Sequence, residues 1–241
     1  LTLKNGGDIV LSSEEVRDKV IKKTIVGVIV LFVFLALAPA YAAGLSKLVD
    51  NFENNLDLKN PEWWVFDRVT RTVVKNPPAR PGDSLAKSCG KYSLNIKGSA
   101  KDWYCGGIGT YVGLDASSFT GLEMCIWGNG AGSGKLKIEL YDDDKGSWET
   151  KYDKNWVPLK DDIWSTEQNV DWRGWKKVYI PFSNFVLTNP KRGDGKRNFN
   201  QLNGSGGLLQ IQMVVLANSA DGETNMNIDN VKLISMIDDE E

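Results

Sequence analysis

An all-β fold, a jelly-roll β-sandwich of two antiparallel sheets, is what this 241-residue sequence predicts. Three observations predict it. Apolar and polar residues alternate with period two in run after run, the mark of strands with one buried face. Clusters of Gly, Asn and Asp separate the runs, as at Gly128–Gly134 and Asp142–Gly146. No stretch after residue 42 shows an apolar stripe at helical spacing, so sheet must pack on sheet.

The segments follow in chain order. Residues 1–19 are polar and lack apolar periodicity, and the chain opens on Leu. Glu14-Glu15-Val16 can be encoded by a purine-rich ribosome-binding sequence just ahead of Val20, so residues 1–19 read as an untranslated or mis-assigned leader. Residues 20–42 read as a secretory signal peptide. Lys22-Lys23 is the basic region, Ile25 to Ala38 the apolar run and Ala40-Tyr41-Ala42 the small-residue site, with cleavage expected after Ala42. The apolar run, about 14 residues, is short for a bilayer span. No stable membrane span is therefore expected after cleavage, and the protein is expected to be secreted or periplasmic. Residues 43–234 form one β-sandwich domain with a full-sized core, and residues 235–241 an acidic tail.

Within the domain, Leu94/Ile96, Leu122/Met124/Ile126, Leu136/Ile138/Leu140, Val178/Ile180, Leu209/Ile211/Met213/Val215 and Val231/Leu233 each place apolar side chains on one face. Gly90 to Lys97 and Gly106 to Leu114 can pair as a hairpin, which would hold Cys89 and Cys105 apart and leave the pairing of the three cysteines open. Asp153–Asp171 and Val186–Gly206 read as long polar loops, of the length that is functional or disordered. Asp142-Asp143-Asp144 lacks the spacing of a calcium loop and reads as a solvated hairpin turn.

Composition excludes several function classes. There is no histidine, which removes His-dependent triads and the commonest transition-metal ligand. With 29 basic and 31 acidic residues the net charge is −2, and no basic stripe offers itself to nucleic acid. A paired-carboxylate hydrolase or lyase needs two carboxylates across a cleft; Glu123 and Glu139 are the pair that alternation places on one outward face.

The alternation also sends Glu123, Cys125 and Trp127, Lys137, Glu139 and Tyr141, Lys177 and Tyr179, and Gln210 and Gln212 outward. Nine tryptophans supply flat rings, the surface against which sugar C–H faces pack, with planar polar groups to meet the hydroxyls. The platform candidates are Trp63 in the first loop, Trp103 and Tyr104 at the tip of Ala100–Cys105, and Tyr141 and Trp148 around the Asp-rich turn.

Six segments in order, Lys47–Glu53, Cys89–Ile96, Phe119–Gly128, Lys135–Tyr141, Trp172–Phe185 and Asn227–Leu233, resemble the strands of non-catalytic carbohydrate-binding modules of the galactose-binding-like β-sandwich kind, most closely family 11. The resemblance implies a polysaccharide, of β-glucan type, bound on a concave sheet face, with no catalytic cofactor. It adds Gln210 and Gln212 in the groove and Arg192 and Asp194 in the loop after Pro181–Phe185, and it implies that Trp175 packs inward, with Trp64 and Trp172 taken the same way. It also implies a structural calcium ion held by Asp50, Glu53 and Asp229. Such modules are usually attached to a glycanase, and here a separately encoded glycanase is the expected partner. Trp127-Gly-Asn-Gly and Asp171–Lys177 also resemble spirochaetal flagellar outer-layer proteins, which would imply a structural, assembly role instead.

Overall fold

The computed structural model describes residues 44–78 and 89–235. The leader, the signal peptide and residues 236–241 of the acidic tail lie outside the described residues. Among these residues no helix is long and apolar enough to cross a membrane.

Among the described residues, twelve strands form two antiparallel sheets of six. The first contains β1 (Ser46–Asp50), β3 (Val69–Lys75), β4 (Tyr92–Ser99), β6 (Gly121–Asn129), β9 (Arg173–Pro181) and β12 (Glu223–Ile234). Its order is β3-β4-β12-β6-β9, with β1 alongside the second half of β12. The second contains β2 (Trp63–Asp67), β5 (Tyr104–Leu114), β7 (Lys135–Asp143), β8 (Asp162–Asn169), β10 (Val186–Leu187) and β11 (Gly207–Leu216), in the order β10-β8-β7-β11-β5-β2.

The predicted alternation packs the sheets together. Leu94 and Ile96, Leu122, Met124 and Ile126, and Val231 and Leu233 of the first sheet meet Leu136, Ile138 and Leu140, and Ile211, Met213 and Val215 of the second in one core. Each such side chain contributes roughly 1.5–3 kcal/mol on burial. Leu209 departs from this pattern. A register shift between Leu208 and Gln210 sends Leu208 into the core and Leu209 to a separate cluster with Tyr141 and Ile163 on the other side of the sheet.

Several expectations change. β4 and β5 belong to different sheets, so they do not form a hairpin. Cys105 lies in the main core, whereas Cys89 joins Cys125, Trp127 and Trp175 in a second buried cluster. Trp175 is thus buried, but beside its cross-strand partner Trp127 and outside the inter-sheet core. The segment Asp153–Asp171 is not all loop, because it contains β8, whose polar sequence DIWSTEQN hides its period. Glu123 on β6 and Glu139 on β7 stand on different sheets, so they do not share a face. Glu123 instead pairs with Lys232 at 2.8 Å and Lys177 at 3.6 Å.

Candidate functional site

Because Leu136, Ile138 and Leu140 face the core, Lys137, Glu139 and Tyr141 must face the other side of the second sheet. The ladder registers extend this outer face across five strands. One row runs Trp64, Gly109, Gln212, Glu139 and Ser165, the next Tyr111, Gln210, Tyr141 and Ile163, and a third Phe66, Gly107, Val214 and Lys137.

The centre of the face is a hydrogen-bonded polar net. The Gln212 amide donates to Glu139 Oε2 at 2.8 Å and to the Tyr141 hydroxyl at 3.2 Å. Lys137 Nζ meets Glu139 Oε1 at 2.7 Å. Gln210 accepts from the Tyr152 hydroxyl at 3.3 Å and donates to Thr150. Burial, then the neighbouring Glu139 charge, drives the Tyr141 phenol well above its ordinary range, so it stays protonated. The sequence-predicted Glu139, Tyr141, Gln210 and Gln212 are therefore brought together, held before any ligand arrives.

Aromatic rings flank this net. On edge strand β2 the half-buried Trp64 and Phe66 fold over β5, where Gly109 and Gly107 leave room for them. A Cβ at Gly109 would lie 2.5 Å from the Trp64 ring, and one at Gly107 would collide with the ring of Phe66. Tyr111 is exposed in the next row and its hydroxyl donates to the Trp148 carbonyl at 3.3 Å. Trp148, also exposed, is fixed by its indole N–H to the Gly204 carbonyl and by its backbone N–H to Asp143. Tyr152 packs onto Tyr141, Ile163 and Leu209, and Trp156, 79% exposed, leans on Tyr152 with ring centroids 5.8 Å apart.

Other predicted residues fall elsewhere. Trp63 is fully buried, with its indole N–H donated to Asp50 at 2.9 Å and its ring against Phe52. It offers no platform. The pleat reverses the two expected roles, placing Trp63 in the core and Trp64 on the face. Trp103 is exposed and Tyr104 half-buried at the end of β5 where it meets Leu216, whereas Trp148 stands near the opposite end of β11. The Tyr104 hydroxyl is engaged by Asp67 at 2.5 Å. Arg192 is paired with Asp153 at 2.8 Å, tying two loops together.

Asp194 lies with Asp144 and Asp162 in a carboxylate cluster. Asp142 and Asp143 are buried, so the Asp-rich run is no solvated turn. Asp143 receives backbone N–H groups from Ser147, Trp148 and Gly206 and so shapes the loop that carries Trp148.

The calcium expectation is divided by the structure. Both Asp50 oxygens are taken, Oδ1 by the Phe52 amide and Oδ2 by Asn55 and Trp63, so Asp50 faces the core network. Asp229 is fully buried and its Oδ2 has no partner, as is true of Oδ1 of Asn76 beside it. Burial pushes the Asp229 carboxyl up to about 8, and Glu53 lies near enough to contribute. Orphaned buried oxygens beside a carboxylate fit a hard cation. The fit is to Glu53, Asn76 and Asp229; Asp50 drops out.

No curated protein matches the chain. Residues 116–235 match the family model described as the surface glycan-binding protein B xyloglucan binding domain. Among solved structures, a family 11 carbohydrate-binding module from Clostridium thermocellum, in complex with a β-1,3-1,4-mixed-linked tetrasaccharide, is 16% identical with a TM-score of 0.50. The alignment covers 81% of this chain and 98% of that one. The family 11 module of the cellulosomal cellulase Lic26A-Cel5E of the same organism is also 16% identical, covers 83% of this chain and 100% of that one, and gives a TM-score of 0.49. The described domain has a β-sandwich fold similar to that of the family 11 carbohydrate-binding module, and its residues 116–235 are similar to a surface glycan-binding domain.

Proposed function

We propose that the outer face of the second sheet binds a β-glucan-type polysaccharide, with xyloglucan and mixed-linkage β-glucan the first candidates, and does so without catalysis. The observation that carries this reading is the seating of Trp64 and Phe66 over Gly109 and Gly107, directly beside the polar net of Gln212, Glu139 and Lys137. Aromatic rings seated over a sheet suit the C–H faces of sugars, and the amides and carboxylate beside them suit the hydroxyls. The xyloglucan-binding family model and the sugar-bound family 11 structure support the substrate class.

Magnitudes favour a polymer over a monosaccharide. A sugar covering about 100 Å² of ring yields roughly 2.5 kcal/mol. Two rings give about 5 kcal/mol, a dissociation constant on the order of 0.2 mM before ordering costs. A chain engaging several rings would bind usefully. An extracellular or surface location, and service to a separate glycanase, follow from the same reading. Glu53, Asn76 and Asp229 would hold a structural calcium ion, whose role is to neutralise their buried charge.

Affinity electrophoresis of residues 43–241 against xyloglucan, mixed-linkage β-glucan, xylan, mannan and pectin tests the proposal. Retardation by a β-glucan, abolished by Trp64→Ala, is the expected result. Retardation by none of the polymers would overturn it and favour an assembly role.

A further inference from the structure

We infer that Cys89 and Cys125 close into a disulfide that staples the turn before β4 to β6, across the outer side of the first sheet. The two belong to one small buried cluster with Trp127 and Trp175, apart from the inter-sheet core. Their side chains share a hydrogen bond, sulfur to sulfur. Thiols so placed already point at each other, and direction as well as distance decides whether two cysteines can be bridged.

The backbone delivers both sulfurs to this point. Cys125 stands mid-strand on β6, opposite Asp229 of β12 and Lys177 of β9. Met124 and Ile126 face the core, so Cys125 faces the other side, where solvent would be expected. It is nonetheless only 2% exposed, with Cys89 packed against it. Strand β4 itself is two ladder steps from β6, about 10 Å, which is too far for a bridge. Cys89 comes within range because it precedes that strand, in a turn held over the sheet. Its carbonyl accepts from the Asn76 side-chain amide at 2.5 Å, and the Asn76 backbone N–H donates to the Lys91 carbonyl at 2.8 Å. Glu53 Oε1 accepts the backbone N–H groups of Lys91 and Tyr92 at 2.5 and 2.9 Å.

The odd number of cysteines is then accounted for. Cys105 lies in the inter-sheet core with its thiol hydrogen-bonded to Thr224, and it is left as the single thiol.

The chemistry is thiol–disulfide exchange with a low-molecular-weight disulfide such as oxidised glutathione. One cysteine thiolate attacks a glutathione sulfur and releases one glutathione thiol. The second cysteine thiolate attacks the resulting mixed disulfide and releases the other. Two protein thiols give up two electrons and two protons, and one oxidised glutathione becomes two thiols. Both cysteines are buried in the folded domain, so the exchange belongs to folding, before the turn settles on the sheet. In the cell the bond rests on the extracellular or surface location of the proposed function. In vitro it needs only the oxidant, so its formation does not depend on that location or on any glycan.

Refolding of the fully reduced, denatured protein in excess oxidised glutathione, followed by alkylation and peptide mapping without reduction, tests the pair. A peptide linking Cys89 to Cys125 is expected, with Cys105 alkylated once the protein is unfolded. Closing a loop of about 36 residues restricts the unfolded chain, so the linked protein should melt roughly 5–15 °C above the same protein held reduced. In Cys105→Ala the link and the gap should persist, and in Cys125→Ala both should vanish. Refolded parent protein with three alkylatable thiols in excess oxidant would overturn the inference, whether or not either variant folds. So would a link made through Cys105, or a linked protein that melts with the reduced one.

Discussion

The indole of Trp64 occupies the space that a side chain at position 109 would fill, so the ring can sit over β5 because its neighbour is glycine. The seating of the ring therefore belongs to two residues on adjacent strands, a feature made by β5 as much as by β2.

Gly109→Val should lift that ring. Loss of one platform, about 1.5–2.5 kcal/mol, corresponds to roughly 10- to 70-fold weaker polysaccharide binding. Isothermal titration should show this loss for Gly109→Val and Trp64→Ala alike. A change at Trp64 alone would mean that the glycine has no part in the platform.

Gln212→Ala removes the donor that Glu139 Oε2 and the Tyr141 hydroxyl share. A cost of about 1 kcal/mol in stability is expected, a melting temperature lower by about 2–4 °C. Binding should weaken about tenfold, since a ligand loses both the amide and the orientation of its neighbours. Thermal melts and titration on the same sample separate the two effects.

Trp63→Phe should behave in the opposite sense. It deprives the buried Asp50 carboxylate of a donor and leaves a void in the core, about 2–4 kcal/mol of stability. Polysaccharide affinity well below the melting temperature should be unchanged. Trp103→Ala, at the far end of the face, should weaken binding less than Trp64→Ala.

Chelation should destabilise the domain. If calcium at 100 times its dissociation constant occupies the Asp229 cage, its removal costs about 2.7 kcal/mol, or roughly 5–11 °C in melting temperature. Asp229→Asn should start lower than the parent protein and lose less on chelation. An equal response in both would place the stabilising ion elsewhere.

The period-two code made the core legible: Leu94 through Leu233 pack where alternation puts them. It also delivered Glu139, Tyr141, Gln210 and Gln212 to one face. Alternation identifies two sides of a strand but not which sheet a strand joins, so Glu123 and Glu139 could not be separated without the topology. Trp63 and Trp64 were ambiguous for a related reason: Val65 and Phe66 are both apolar, so β2 has no polar side to reveal its phase. The signal lay in another strand, in the Gly106-Gly107-Ile108-Gly109 spacing of β5. Glycines at 107 and 109 leave alternate positions bare on one face, and something must cover them. Asp142 and Asp162 illustrate a different limit, since no local spacing announces carboxylates that meet only through a strand pair.

Phe66 and Trp64 are two residues apart on one strand, so about 7 Å of backbone separates their attachment points, a distance set by the pleat and not by side-chain packing. Exchanging one ring type for another would alter the strength of grip while leaving that interval intact. A single residue inserted between Glu62 and Trp63 would shift the phase of the strand, turning one indole out of the interior and the other into it. The interior and the outer surface of this domain are therefore written in the same five residues, and neither can drift without the other.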